Sequence, residues 1–222
     1  MPTRNKPATE VFYHVFNRGI EKRPIFMDDR DRIRFMYALY FFNNLLPSEN
    51  LKRMCEVKLP TLDGRECMLE IHAFCLMDNH YHLLLRDTSE QGGNISEFMR
   101  KVGTGYTNYF NTRYKRVGSL FQGTYKAVPV LNEAHLYYLL HYIHLNPTVD
   151  GSLTSHKGYL WSSYRDYVSA TKPSTIQFPG LVTTDFFTEL LGGRENIAKE
   201  SDEFAVKKKE LLLEQLSGIS LE

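Results

Sequence analysis

The hydrophobic rhythm of this chain changes several times along its length, and each change marks an element. Residues 11–19 (VFYHVFNRG) alternate apolar and polar positions and end at a glycine, the pattern of a half-buried strand. From Asp28 to Leu46 the apolar residues Ile33, Met36, Tyr37 and Tyr40 recur at helical spacing, acids crowd the start and Pro47 follows, which predicts a helix. Two apolar runs, Met68 to Met77 and His80 to Arg86, flank Asp78-Asn79 and predict a hairpin. Asn94, with Glu97 three residues on, predicts the cap of a helix that reaches about Arg116. Residues 119–131 read as a fourth strand that Pro129 places at an edge or ends, and another helix is expected from Asn132 to Pro147. Two short helices are expected at 184–192 and 194–217.

The resulting order is strand, helix, strand, strand, helix, strand, helix. It predicts an α+β fold, a ferredoxin-like or RRM-like antiparallel sheet carrying helices on one face. The length of 222 residues allows one main domain with a modest appendage. We place the domain at 1–170, a surface insertion with two prolines and an Asp-Gly turn at 47–66, a linker at 171–182, and a small helical C-terminal extension at 183–222.

Composition narrows the class. No window is apolar enough for a membrane span and the start lacks the apolar stretch of a secretory signal, so a cytoplasmic, nucleoid-associated protein is expected, with neither a membrane nor a small molecule as partner. Three cysteines without CxxC spacing suggest neither a disulfide framework nor a thiolate zinc site. The net charge of +1 hides a strong asymmetry: Phe98 to Val130 holds six basic residues and no acidic one, interleaved with tyrosines and phenylalanines. Cations that neutralise phosphates beside rings that stack on bases suit a single-strand surface, although a solvated helix face over core aromatics reads equally well. From Thr183 onward nine acids face five bases, so the tail is a poor DNA surface.

His80 and His82 stand two apart in a strand and share a face, a spacing that lets both imidazoles reach one divalent ion. Alone, such a pair is more often structural. On the helix from Asn132, residues Leu136, Leu139, Leu140 and Ile143 form the apolar face, while His135, Tyr142 and Asn146 fall along one flank. Tyr142 and Asn146 are i,i+4 neighbours, and an Asn carbonyl with two imidazoles leaves positions open for water and phosphate oxygens, a set suited to Mg²⁺ or Mn²⁺. Tyr142 also reads as a half-buried edge aromatic and Asn146 as a helix C-cap. His135 and His144 read as structural or exposed. A hydrolase with zinc on the His pair would need a third histidine or a carboxylate close by.

Five segments resemble the single-tyrosine transposases of the HUH superfamily, most closely the REP-associated tyrosine transposases: YHVFNRG (13–19), AFCLMDNHYHLLL (73–85), YTNYFNTRYKRVGSLFQGTYKA (106–127), YIHLNP (142–147) and LWSSYRDY (160–167). The resemblance implies the HUH endonuclease fold. It implies metal ligation by His80, His82 and Asn146, with Tyr142 as the nucleophile. It implies cleavage and strand transfer of single-stranded, hairpin or palindromic DNA through a 5′-phosphotyrosine, by a monomer or a homodimer. Nucleic-acid contacts are expected from Asn17, Arg18, Arg113, Arg116, Gln122 and Lys126, with Tyr109 and Tyr125 as alternative nucleophiles. A domesticated protein that binds structured DNA or RNA without moving an element is the rival reading. The chain departs from the family pattern at Asp78, where Pro is usual, at Thr124, where Arg is usual, and at 148–150, where a basic residue is common. The tail is expected to cover the groove as an inhibitor, which deletion from Thr183 would expose.

Overall fold

The computed structural model describes residues 11–45, 66–90, 92–149, 155–169, 178 and 180–219. Four strands, β1 (Phe12–Arg18), β2 (Glu70–Met77), β3 (His80–Arg86) and β4 (Lys126–Pro129), form one antiparallel sheet in the order β2-β3-β1-β4. The helices are α1 (Asp29–Phe42), α2 (Asn94–Arg113), α3 (Glu133–Val149), α4 (Tyr164–Val168), α5 (Asp185–Leu190) and α6 (Arg194–Ile219), and a short 3-10 turn covers Ile20–Lys22. The α+β fold and the hairpin at Asp78-Asn79 agree with expectation.

The helices cover both faces of the sheet rather than one. On the first face α1 and α2 bury Phe35, Phe98 and Tyr106 against Val15, Phe74, Tyr81 and Leu83. On the second face the predicted stripe of Leu136, Leu139, Leu140 and Ile143 on α3 packs on Ala73, Cys75, Met77 and Leu84. Phe187, Leu191 and Ile197 from the C-terminal helices complete this second core. A bulge in β2 lets neighbours in the ladder serve opposite faces: Ile71 pairs with Leu85 in the first core, Ala73 with Leu84 in the second, and His72 is the extra residue.

Several boundaries differ from expectation for identifiable reasons. Helix α1 is capped by Asp28 and stops at Asn43, before Pro47, because the Asn43 amide turns inward, donates to the Leu69 carbonyl and accepts from the Leu69 N–H. Asn94 is the first residue of α2 and not its cap; its N–H donates to Asp87 Oδ2, so a carboxylate from the preceding loop satisfies the helix start. Strand β4 is shorter than the expected 119–131, with only a bridge between Gly19 and Phe121 preceding it. Helix α3 is capped by Asn132, which accepts from the His135 N–H, and it continues through Pro147, so Asn146 lies inside the helix.

The insertion predicted at 47–66 lies, apart from Glu66, outside the described residues. Its flanks meet: the Leu45 N–H donates to the Glu66 carbonyl at 3.0 Å. Most of the 171–182 linker is also outside them, but Phe178 and Leu181 are buried in the first core, so this end of the stretch packs as structure. The segment LWSSY closes the open edge of β2: the Leu76 N–H donates to the Trp161 carbonyl, and the Ser163 N–H donates to the Phe74 carbonyl. At the hairpin, Asp78 pairs with Arg32, which gives the unusual residue at this turn a local partner.

Candidate nucleic-acid cleavage site

Alternation along β3 sends Tyr81, Leu83 and Leu85 into the first core and His80, His82 and Leu84 to the opposite face. There the flank of α3 passes over the two imidazoles. His80 Nε2 lies 3.1 Å from Asn146 Oδ1, and the Tyr142 ring meets the His82 ring edge-on at 5.5 Å between centroids. The two histidine rings are 5.1 Å apart. His80, His82, Tyr142 and Asn146 thus line one cleft of about 540 Å³ together with Phe16, Arg18, Gln122, Thr124 and Lys126.

Two residues that sequence reasoning missed fix the imidazoles. Asn79 Oδ1 accepts from His80 Nδ1 at 2.6 Å, which leaves the Nε2 lone pair facing Asn146. His14, on β1, places its Nε2 2.8 Å from His82 Nδ1, so His82 keeps Nε2 for a ligand. Burial, with the charge of His135 in second place, holds His14 down at about 4, so it is a neutral partner near neutral pH. His82 is pushed well below its ordinary value, first by burial and then by the charges of His14, His80 and Arg18. The signal for His14 was present: in a strand it shares a face with Phe16, whose partner across the ladder is His82.

The donors fit a hard divalent ion. In the tautomer that donates Nδ1–H to Asn79, His80 Nε2 turns a lone pair toward the Asn146 carbonyl oxygen 3.1 Å away, an arrangement that suits a cation bound by both. Two ligands about 2.1 Å from one ion and at right angles to it are about 3.0 Å apart. Among the described residues no three His, Cys, Asp or Glu side chains gather as a metal site, and the oxygen nearest the His80 Nε2 is the Asn146 carbonyl.

The predicted contact residues divide. Arg18, Gln122 and Lys126 line the cleft. Asn17 lines it too, but its amide is spent internally: Nδ2 donates to the Gly123 carbonyl and Oδ1 accepts from the Arg18 N–H, so it holds a loop. Arg113 lies elsewhere, gripping Asp28 and the fully buried Asp31. Tyr109 and Tyr114 donate to the same Asp31, and the Tyr106 hydroxyl donates to the Ile25 carbonyl. Much of the basic and aromatic interleaving on α2 is therefore interior architecture. Arg116 lies over the Phe110 ring and donates to Asn111, also away from the cleft. Tyr109 is raised by burial and Tyr125 reaches Ser96; neither alternative nucleophile lines the cleft. His144 is buried and bonded to Ser163, in keeping with the structural reading, and His135 is partly exposed at the start of α3.

The tail supplies the other unexpected neighbour. Lys208 of α6 places Nζ 4.8 Å from the centre of the Tyr142 ring, and Tyr138 stacks on that ring at 5.9 Å. The acidic balance of the tail concealed this one cation.

Residues 44–146, the stretch that contains His80, His82, Tyr142 and Asn146, match the family model described as "Transposase IS200 like". Among solved structures, the chain is similar to one of a REP-associated tyrosine transposase bound to a REP hairpin, with a TM-score of 0.54 and 14% identity over 83% of this chain and 92% of that one. No curated protein matches it in sequence. The resemblance read from the motifs is thereby borne out over the matched stretch, and at this low identity the structural likeness establishes the fold. No helix among the described residues is long and apolar enough to cross a membrane.

Proposed function

We propose that this chain, a transposase-type enzyme by its match to the IS200-like model over residues 44–146, is a metal-dependent nuclease that cuts and rejoins single-stranded or hairpin DNA through Tyr142. The observation that carries the reading is the convergence of His80, His82 and Asn146 with a tyrosine at the mouth of one cleft. A divalent metal, Mg²⁺ or Mn²⁺, held by these three residues would supply Lewis-acid polarisation of a phosphoryl oxygen.

The chain's own groups perform the rest. Arg18 and Lys126 receive the flanking phosphates, His14 and Asn79 keep the two imidazoles in the ligating tautomers, and α3 holds Tyr142 against His82. The Tyr142 hydroxyl loses its proton and its oxygen bonds to phosphorus. The bond from phosphorus to the 3′-side oxygen breaks, and that oxygen takes a proton to become a 3′-hydroxyl. The 5′-phosphotyrosine preserves the energy of the broken linkage, because a phenolate leaves more readily than an alkoxide. Attack by a second 3′-hydroxyl releases Tyr142 and joins the strands, so transfer needs no nucleoside triphosphate.

The test is a labelled hairpin with a single-stranded flank, incubated with Mn²⁺ and run on a denaturing gel. The chain should form an adduct that chelation abolishes, and Tyr142→Phe should form none while still binding the hairpin. An undiminished adduct from Tyr142→Phe overturns the assignment. DNA binding with no adduct under any metal would favour the domesticated reading.

A further inference from the structure

Gly103 and Gly123 are glycines that the fold itself does not require. Gly103 lies inside α2, where a glycine is costly because it gives up backbone freedom and presents no side chain. A Cβ added there would come within 4 Å of nothing beyond its own stretch of helix. Gly105 shows the contrast: a Cβ on it would meet the Phe42 ring at 2.9 Å, so packing explains it. Gly123, in the loop before β4, has no left-handed backbone to justify it and a Cβ there would also meet nothing.

The empty space over both glycines is one groove of about 320 Å³ between α2 and that loop. Thr104, Thr107, Asn108 and Tyr125 line it as well. Asn17, Gly123 and Thr124 border both this groove and the cleft on the opposite face of the sheet, so the loop that carries Gly123 stands between the two. The dividing loop is fixed rather than free: Asn17 holds the Gly123 carbonyl and the Gln122 N–H donates to the Arg18 carbonyl, each at 3.0 Å.

The lining identifies the occupant. Among the described residues that line the groove Arg100 is the one cation, and its two hydrogen bonds to Glu97 offset much of its charge, so the lining is close to neutral. What it offers is hydroxyls, an amide carrying both donors and an acceptor, an aromatic ring and bare helix backbone, the means by which unpaired bases are read. Arg18 and Lys126 serve phosphates next door in the cleft.

Resting on the proposed function above, we infer that this groove receives one unpaired base of the same strand whose scissile phosphate enters the cleft, with Gly103 giving the base its close approach and Asn108 reading its edge. Gly103 and Asn108 would then be specificity residues for the sequence beside the cut.

The experiment compares the full-length chain with Gly103→Leu and Asn108→Ala by fluorescence anisotropy on two labelled DNA hairpins, one bare and one with a single-stranded flank, alongside thermal melting. Gly103→Ala accompanies them as a variant that improves helix propensity. Gly103→Leu should melt at or above the temperature of the unaltered chain, bind the bare hairpin equally, and lose about tenfold on the flanked one. Asn108→Ala should flatten discrimination among flanks that differ by one base. Equal affinity of Gly103→Leu and the unaltered chain for the flanked hairpin overturns the groove. If Tyr142 still forms its adduct in that case, the proposed function stands without it. If the unaltered chain binds neither hairpin, both readings fall.

Discussion

The Lys208 ammonium stands over the Tyr142 ring at 4.8 Å, so a side chain from the last described helix faces the residue that would attack phosphorus. A cation over a phenol ring favours the phenolate more than the neutral form, by about 0.5–2 kcal/mol according to how far it is desolvated. Burial lowers the pKa of Lys208, so the ammonium loses its proton, and with it this effect, earlier on the alkaline side than an exposed lysine would. We expect Lys208→Met to slow adduct formation about 3- to 10-fold at neutral pH and to move the rise of rate with pH upward. A pH series of single-turnover adduct formation checks this. An unchanged profile, or a faster reaction, would make Lys208 an obstruction rather than an aid. Deleting the tail from Thr183 would not answer the question, since it strips Phe187, Leu191 and Ile197 from the second core.

Substituting His14 should weaken metal binding without unfolding the chain. It touches His82 Nδ1 at 2.8 Å and orients the ring from behind. Removing such a partner commonly costs about 10- to 100-fold in metal affinity. His14→Phe, titrated with Mn²⁺ by calorimetry, should show that loss with little change in melting temperature. Equal affinity would show that His82 needs no support.

Asp31 presents a stability test. It is fully buried and accepts from Arg113, Tyr109, Tyr114 and the Met27 N–H. Replacing it with alanine leaves two hydroxyls and the Met27 N–H without this acceptor while Arg113 keeps Asp28, and leaving such buried groups unsatisfied costs about 1–3 kcal/mol. Urea denaturation of Asp31→Ala should show a loss of this order. A loss below about 1 kcal/mol would mean that water replaces the carboxylate.

Acid should loosen the second core first. His141 is buried between Ser201 and the Phe204 ring, and its pKa is pushed down to about 4 by burial and, second, by the charge of His156. Below its ordinary value of 6.5 the unfolded chain takes up a proton that the folded chain refuses. Stability is therefore full above pH 6.5 and falls as pH drops toward about 4. Each unit of that separation is worth about 1.4 kcal/mol. Melting curves between pH 7.5 and 4.5 should show the decline, and His141→Leu should reduce its slope. A slope identical in the variant would assign it to other groups.

The parts of this molecule legible in its sequence were those in which one face is apolar and the other polar. The strand at 12–18 and the Leu136–Ile143 stripe are of this kind, while the hairpin was legible from its Asp78-Asn79 turn between two apolar runs. The second helical layer was not read, although a clue existed: EIHAFCLM and HYHLLLR are nearly continuous apolar runs, as strands covered on both faces tend to be. Arg113 was misplaced because charge composition cannot tell a guanidinium facing solvent from one paired with a buried carboxylate 82 residues away in sequence. Lys208 was hidden for the converse reason: it stands in a run of three lysines on a helix whose acids slightly outnumber its bases, and nothing in that composition singles it out. The four residues of the cleft were found because two neighbours in a strand and two in a helix fix their own relative directions; their meeting depended on the family motifs.

Strand β3 carries a consequence for how this enzyme type tolerates change. Its odd-numbered residues Tyr81, Leu83 and Leu85 belong to the hydrophobic interior, and its even-numbered His80 and His82 to the cleft. Parity along seven residues is thus the address of the proposed metal ligands. A slip of one position against β1 would bury both imidazoles among phenylalanines and deliver a tyrosine and leucines to the DNA. Drift in apparently remote packing residues on this strand is therefore drift in the aim of the nuclease, and a library that randomises the interior should lose cleavage before it loses the fold.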